Sequence, residues 1–463
     1  MIARLLTDAK GATQLTSHWQ KDTEIASNFH DILLQAKPEV LRRDLAAELR
    51  RLIGLARAAL EPYSDIAVGE EALREVFIAL LTAFPRYRSY LTTAVASNGD
   101  QALMTDVATD AAVGLRDDEL LRRIADLILH PKNATQIALQ RRFQQVTGAL
   151  LAKSHEDTAG FRYTPYLAAC EVGADPDLLS IDPEDFAAWA ETQPGTGLLL
   201  TSSHDTKRSE DARMRLVAMS HLPAAAIRLQ EAARHCDAAA QLAPNLRWYL
   251  VQAIVAIWSD EDTALEDRVT AHAVKAMREA DEITSWTHPM TTAEQRACDF
   301  AARLIRHWRS APPEPLAQII AKATRLSFAQ LALKLTMPGV PDIYRGCEGL
   351  YLALTDPDNR RPVALSDVCG LLDANGPSGE KARLIQAMLQ LRATEPDLFR
   401  SSEVEAEYQN GILHLRRRDA GASIFLRIAM TGALPKAKDP VHVVTLDGEA
   451  IVDLCAERQA ALV

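Results

Sequence analysis

Residues 196–215 read Thr-Gly-Leu-Leu-Leu-Thr-Ser-Ser-His-Asp-Thr-Lys-Arg-Ser-Glu-Asp-Ala-Arg-Met-Arg, an apolar run that empties into a dense charged cluster. Gly195 and Gly197 bound Leu198, Leu199 and Leu200, which predicts a short buried strand, while Ser209 to Asp211 followed by helix formers predicts a helix start. A strand that ends in polar residues ahead of a helix is a β/α unit, and in such architectures chemistry sits at the C-terminal ends of strands. His204 and Asp205 fall at that end.

Downstream, the alternation of Leu331, Leu333 and Leu335 predicts a second buried strand at about 330–336, followed by a turn that Pro338, Gly339 and Pro341 fix. Tyr344, Arg345 and Glu348 then emerge at the strand end. The loop 354–362 packs Asp356, Asp358, Asn359, Arg360 and Arg361 around two prolines, a composition that sets loop geometry without regular structure. Beyond residue 401 the runs 412–416, 423–428 and 441–446 are short, alternating and separated by Gly or Pro. They predict a small antiparallel β-domain.

Upstream, Leu41, Leu45, Leu49, Leu52 and Leu55 recur at helical spacing and predict one amphipathic helix over 38–60. Further helices are expected over 69–84 and 117–129, so residues 1–150 read as a helical scaffold domain. The tract 143–176 is polar without a helical or alternating pattern and reads as a site-lining loop. Its Lys153, Glu156, Asp157 and Arg162 are either site residues or a self-satisfied ion-pair network. Helices are also predicted over 213–233, 246–259, 262–280, 293–309, 315–326 and 378–394. In the segment 283–289, Trp286 and His288 offer a sugar platform or a buried loop anchor. The expected division is 1–150 helical, 151–400 β/α with inserted helices, and 401–463 the β-domain.

The 463 residues suffice for more than one core, and 48% apolar with 24% charged residues is ordinary for a globular chain. A net charge of −11 gives no global basic surface and argues against nucleic acid or an anionic membrane as the main partner. The six cysteines show no CxxC pair and no metal-ligand spacing, so reduced thiols, a cytoplasmic location and no metal are expected. The N-terminal residues lack a signal-peptide pattern, and nowhere do roughly 18 uninterrupted apolar residues occur.

Three sets of segments together resemble one family. They are Ala152-Lys-Ser-His-Glu-Asp-Thr158 with Glu171-Val-Gly-Ala-Asp-Pro176, Ser203-His-Asp-Thr-Lys-Arg-Ser-Glu-Asp211, and Pro338-Gly-Val-Pro-Asp-Ile-Tyr344 with Asp356-Pro-Asp-Asn-Arg-Arg-Pro362. The family is maltooligosyl trehalose synthase, of the α-amylase superfamily (glycoside hydrolase family 13). Phe84-Pro-Arg-Tyr-Arg88, Arg142-Phe-Gln-Gln145 and Lys275 to Ala280 running into Thr284-Ser-Trp286 add lesser matches. The resemblance covers most of the chain from about residue 38 onward.

The resemblance implies a mainly α fold with an α/β part: the C-terminal part of a (β/α)8 barrel, a large helical insertion and a small C-terminal antiparallel β-domain. It implies an isomerase that converts the reducing-end α-1,4 bond of a maltooligosaccharide into the α-1,1 bond of a trehalose unit, without a cofactor. Retention at the anomeric centre requires a carboxylate nucleophile and a carboxylic acid about 5 Å apart. By the resemblance, Asp205 stabilises the oxocarbenium-like state and His204 hydrogen-bonds the same sugar. Lys207, Arg208, Glu210 and Asp211 are candidates for gripping the reducing-end glucose, or else a helix-capping and ion-pair cluster. Lys153, Glu156, Asp157 and Arg162 become site candidates, and Asp342, Tyr344, Asp358, Asn359 and Arg360 belong to rim loops, where Asn359 and Arg360 either stabilise a turn or contact sugar.

The chain also departs from the family pattern. The family carries its nucleophilic Asp and acid/base Glu upstream of the helical region, and no Gly-x-Arg-x-Asp-His tract occurs in the first 150 residues; Asp106, Asp110 and Asp117 lie in other contexts. The resulting expectation is a C-terminal portion that is inactive alone and is completed by a separate N-terminal half, with an α-glucan as substrate. The alternative is a non-catalytic glucan-binding or regulatory protein. Ser154, His155, Cys170, Arg345 and Cys347 also differ from the residues the family favours.

Overall fold

Apolar side chains at helical spacing dominate the chain, and helices follow from them. The computed structural model describes residues 1–61, 68–92, 96–400, 403–419 and 422–458. Residues 401, 402 and 459–463, which the expected C-terminal domain includes, lie outside them. The described residues are mainly helical, with a small antiparallel sheet near the C-terminal end. None of the described helices is long and apolar enough to cross a membrane. The chain divides into two units, one of Ser27–Tyr163 with Glu279–Thr287, the other of Met1–Ala26, Thr164–Arg278 and His288–Val463. Residues 1–26 therefore group with the second set, not with the helices that follow them.

The Ser27–Tyr163 unit is a helical array around Leu49, Leu52, Phe77, Leu80, Ile124 and Phe143. Burying side chains of this size stabilises by about 1.5–3 kcal/mol each. The expected single helix over 38–60 is two, Phe29–Arg42 and Ala46–Leu60. A capping box between Asn28 and Asp31 starts the first helix well before residue 38, and Pro38 lies inside it. The expected loop over 143–176 begins instead as the helix Ala134–Leu151, which passes into a π-helix, Ala152–Ala159, and one short turn, Gly160–Arg162. Polar residues hid this helix because some point inward: buried Gln144 donates to the carbonyl of Leu91 at 3.1 Å and accepts its N–H at 2.8 Å.

The other unit is built around the helix Pro244–Ile257, buried on every face from Arg247 to Ile257, and the helix Glu314–Thr336. The latter overturns the strand expected at 330–336. Every residue from Leu326 to Thr336 is buried, so the apolar alternation belongs to a helix enclosed all round. The helix ends at Met337, ahead of Pro338 and Gly339, and the strand follows it. β1 (Leu198–Leu199) and β2 (Val340–Pro341) form a two-stranded parallel sheet with Leu198 opposite Val340. β1 is not buried as expected: Leu198 is 73% exposed, Leu200 51% and Val340 52%. The helix expected over 213–233 is also two, Glu210–His221 and Pro223–Arg234.

Five antiparallel strands make the C-terminal sheet, two more than the three runs expected. They are β3 (Glu403–Gln409), β4 (Ile412–Arg418), β5 (Ala422–Ala429), β6 (His442–Leu446) and β7 (Glu449–Arg458), in the order β3-β4-β5-β7-β6. Asn410-Gly411 and Asp447-Gly448 close two of its hairpins. All four residues have positive φ, between 51° and 82°, as two-residue turns of this kind require.

Candidate functional site

β1 delivers the chain to its polar end. Val340 N–H bonds the carbonyl of Gly197 and Asp342 N–H that of Leu199, each at 2.8 Å, so β2 fixes the direction of β1. The chain then turns at Thr201 and Ser202, both buried, and Ser202 Oγ accepts the N–H of Glu210 at 2.7 Å. Between these points the loop 203–209 stands out. Thr206 Oγ1 donates to Ser203 O at 2.9 Å, and Ser203 Oγ accepts the Asp205 N–H at 3.2 Å. At the tip, His204 Nε2 lies 3.3 Å from Asp205 Oδ2, and the two side chains are 57% and 70% exposed.

The second acidic pair of the same stretch has the opposite environment. Glu210 and Asp211 side chains are each 2% exposed. Lys381 reaches Glu210 at 2.7 Å and Asp211 at 2.8 Å, and Lys334 reaches Glu210 at 3.1 Å. Thr201 also donates to Glu210, and Asp211 accepts the Tyr351 N–H at 2.8 Å. Burial alone would push the Glu210 carboxyl up; Lys381 and then Lys334 outweigh it and hold it at about 2. Burial would likewise lower Lys381, but Asp211 and Glu210 keep it above its ordinary value. Of the two alternatives for these acids, the geometry is that of the ion-pair cluster: they tie the helix start to two other helices, and their side chains are 2% exposed.

Neighbouring candidates divide the same way. Buried Arg208 donates to the carbonyls of Leu167 and Cys170, at 3.2 and 2.6 Å. Asp358 is gripped by Arg268 at 2.7 and 2.8 Å and accepts the Leu354 N–H, so it anchors its own loop and is not a rim group. Buried Asn359 donates from Nδ2 to the carbonyls of Ser203, His204 and Thr206, at 3.3, 3.0 and 3.3 Å. Tyr344 OH donates to the Asn359 carbonyl at 3.1 Å, and Arg345 to that of Arg360. Asp342 and Arg360 are exposed, Arg360 paired with Asp356; Lys207 is buried.

In the Ser27–Tyr163 unit, Lys153 lies 2.7 Å from Glu279 and 3.6 Å from Asp157. Burial would lower Lys153; its hydrogen bond to Glu279, and then the charges of Glu279 and Asp157, raise it. Tyr87 donates to Glu156. Arg162, mostly buried, pairs with Glu39 at 2.8 Å and donates to the Ala280 carbonyl at 2.6 Å, which makes it a brace within the unit. Three of the four candidates thus sit on a π-helix, a geometry that recurs at functional sites.

Residues that sequence reasoning missed are mostly partners of the ones it found. Lys334 and Lys381 sit inside apolar helix faces, where a lone lysine is the signal of a buried counter-charge. Glu171 is the third. Its carboxylate accepts the N–H groups of Lys207 at 2.7 Å and Arg208 at 3.2 Å and pairs with Arg213 at 3.1 Å. It also lines a cavity of about 410 Å³ with Arg213, Lys334, Leu199 and Thr201, beneath the loop.

A parallel strand pair with exposed polar residues at its C-terminal end, followed at once by a helix, has the layout of a β/α site. The homologues and structural neighbours of this chain are maltooligosyl trehalose synthases. Two Mycobacterium tuberculosis proteins, from strains CDC 1551 / Oshkosh and ATCC 25618 / H37Rv and each provisionally named maltooligosyl trehalose synthase, are 29% identical over 407 residues. That match covers 86% of this chain and 50% of theirs, so the chain spans about half the length of the curated relatives it matches. The maltooligosyltrehalose synthase structure from Arthrobacter ramosus is 26% identical, with a TM-score of 0.78 over 92% of this chain and 55% of that one. A hypothetical maltooligosyl trehalose synthase from Sulfolobus tokodaii, 23% identical, shares the fold with a TM-score of 0.78 over 98% of this chain and 61% of that one. No family model matches the chain.

Proposed function

We propose that this chain supplies the sugar-holding half of a maltooligosyl trehalose synthase, an isomerase that turns the reducing-end α-1,4 bond of a maltooligosaccharide into an α-1,1 bond. The carrying observation is the exposed His204–Asp205 pair, at the end of β1 and within the segment matched to the relatives. In this reading Asp205 accepts hydrogen bonds from ring hydroxyls and stabilises positive charge at the anomeric carbon, and His204 donates to the same ring. Tyr344, Asp342 and Arg360 contact the sugar from the adjoining loops.

Chemistry requires a nucleophile and an acid beyond the Asp205 carboxylate. The exposed Leu198, Leu200 and Val340 support pairing of this strand ribbon with further strands, those of a (β/α)8 barrel, since parallel sheets are normally covered on both faces. The test is calorimetry with maltopentaose. The chain binds it, Asp205→Ala weakens binding at least tenfold, and trehalose-unit formation appears only when the other half of a relative is added. No binding by the parent chain would overturn the reading.

A second reading, glucan binding without chemistry in a cytoplasmic regulatory protein, is favoured by one observation. The acids nearest to Asp205 in its own stretch, Glu210 and Asp211, are both committed to lysines. Added strands that restore no activity would select it.

A further inference from the structure

We infer that Glu171 and Asn359 are positioning residues that hold the His204–Asp205 loop from opposite chemical sides, one as acceptor and the other as donor. Neither is among the residues proposed above to touch the sugar, and the inference rests on that reading of His204 and Asp205. The loop 203–208 is short of partners within itself. Its own side chains supply the Thr206 hydroxyl, which takes the Ser203 N–H and donates to the Ser203 carbonyl, and the Ser203 hydroxyl, which takes the Asp205 N–H.

On the N–H side, Glu171 accepts from two successive amides, Lys207 and Arg208, and Arg213 holds the carboxylate in place. Hydrogen bonds to a charged acceptor are about twice as strong as neutral ones. On the C=O side, one amide nitrogen, Asn359 Nδ2, serves Ser203, His204 and Thr206. An asparagine that only stabilised its own turn would accept a backbone N–H with its Oδ1. Asn359 Oδ1 is buried and has no hydrogen-bond partner among the described residues, so the work of this side chain is the donation to the loop. Tyr344 OH on the Asn359 carbonyl fixes the donor in turn. The exposed tip is thus held by buried Asn359 and by Glu171, whose side chain is 10% exposed, which suits a group that must meet a sugar in one orientation.

The test uses the full chain and maltopentaose. In Glu171→Gln and Asn359→Ala, amide hydrogen exchange over 203–208 rises about tenfold or more, while helix Pro244–Ile257 and the C-terminal sheet keep their protection. Maltopentaose affinity falls about tenfold in both, and Glu171→Ala is worse than Glu171→Gln, which keeps one acceptor oxygen. Exchange that is unchanged, or that rises evenly through the unit, overturns the clamp. Local exchange that rises with affinity intact shows that loop order does not serve binding and overturns the positioning role. If Asp205→Ala leaves affinity unchanged, the sugar role of the loop fails instead, and exchange still decides the clamp.

Discussion

Two acid-bearing pairs stand five residues apart in one stretch, and they do opposite things. His204–Asp205 is mostly solvent-exposed, whereas Glu210–Asp211 is enclosed with Lys334 and Lys381. Backbone placement makes the difference: the loop tip projects past β1, and the first turn of the following helix faces the core. An acid at the tip keeps its hydration and is free to bind a ligand. An acid in the core must be neutralised, and its chemistry is used up in the fold.

The largest effect that tests this contrast is Lys381→Met. It removes the cation shared by Glu210 and Asp211 and leaves two buried carboxylates short of charge, an expected loss of about 3–5 kcal/mol in denaturant unfolding. A loss below about 1 kcal/mol would break the comparison. Acidification comes next. Burial, and then Arg208, hold the His272 imidazole at about 3 instead of 6.5, with Tyr249 OH 2.7 Å from its Nε2. Between these values the unfolded chain takes a proton that the folded chain refuses, so stability falls as pH drops from 6.5 towards 3. His272→Gln flattens the unfolding midpoint over that window. Glu210 adds a second phase: its pairing stabilises fully above 4.5 and loses its effect as pH falls towards about 2.

Smaller still is Asp205→Ala, which changes stability by no more than about 0.5 kcal/mol although it weakens glucan binding. A stability loss comparable to that of Lys381→Met would erase the distinction between the two pairs. The smallest is Leu198→Ser at the exposed edge, again within about 0.5 kcal/mol, read instead as less self-association in sedimentation.

The stretch 196–215 was readable as strand, polar tip and helix because those signals are local. Burial is not local, and so the sequence leaves Glu210 and Asp211 open between a sugar grip and an ion-pair cluster. The helix Glu314–Thr336 misled for the same reason, since a helix enclosed all round carries no amphipathic stripe and its leucines fall into alternation by chance. The C-terminal hairpins are legible in local turn chemistry. Asn410-Gly411 and Asp447-Gly448 are strong turn signals, and each implies a strand on both sides, β3 and β7 included. Glu171 is visible in sequence as a lone acid after an apolar tract, but its partners lie far along the chain.

The β1–β2 pairing has a bearing on how the molecule assembles. Leu198 meets Val340 across a long stretch of chain, through only two paired positions. Such a contact repays little of the chain entropy that its closure costs. The expected order therefore has the ribbon close late, once helix Glu314–Thr336 is held through Lys334 on Glu210, and pulse-labelled hydrogen exchange during refolding checks it. In that expected order the buried acids commit before the loop that carries His204 and Asp205, and early protection of 203–208 ahead of helix Glu210–His221 would overturn it.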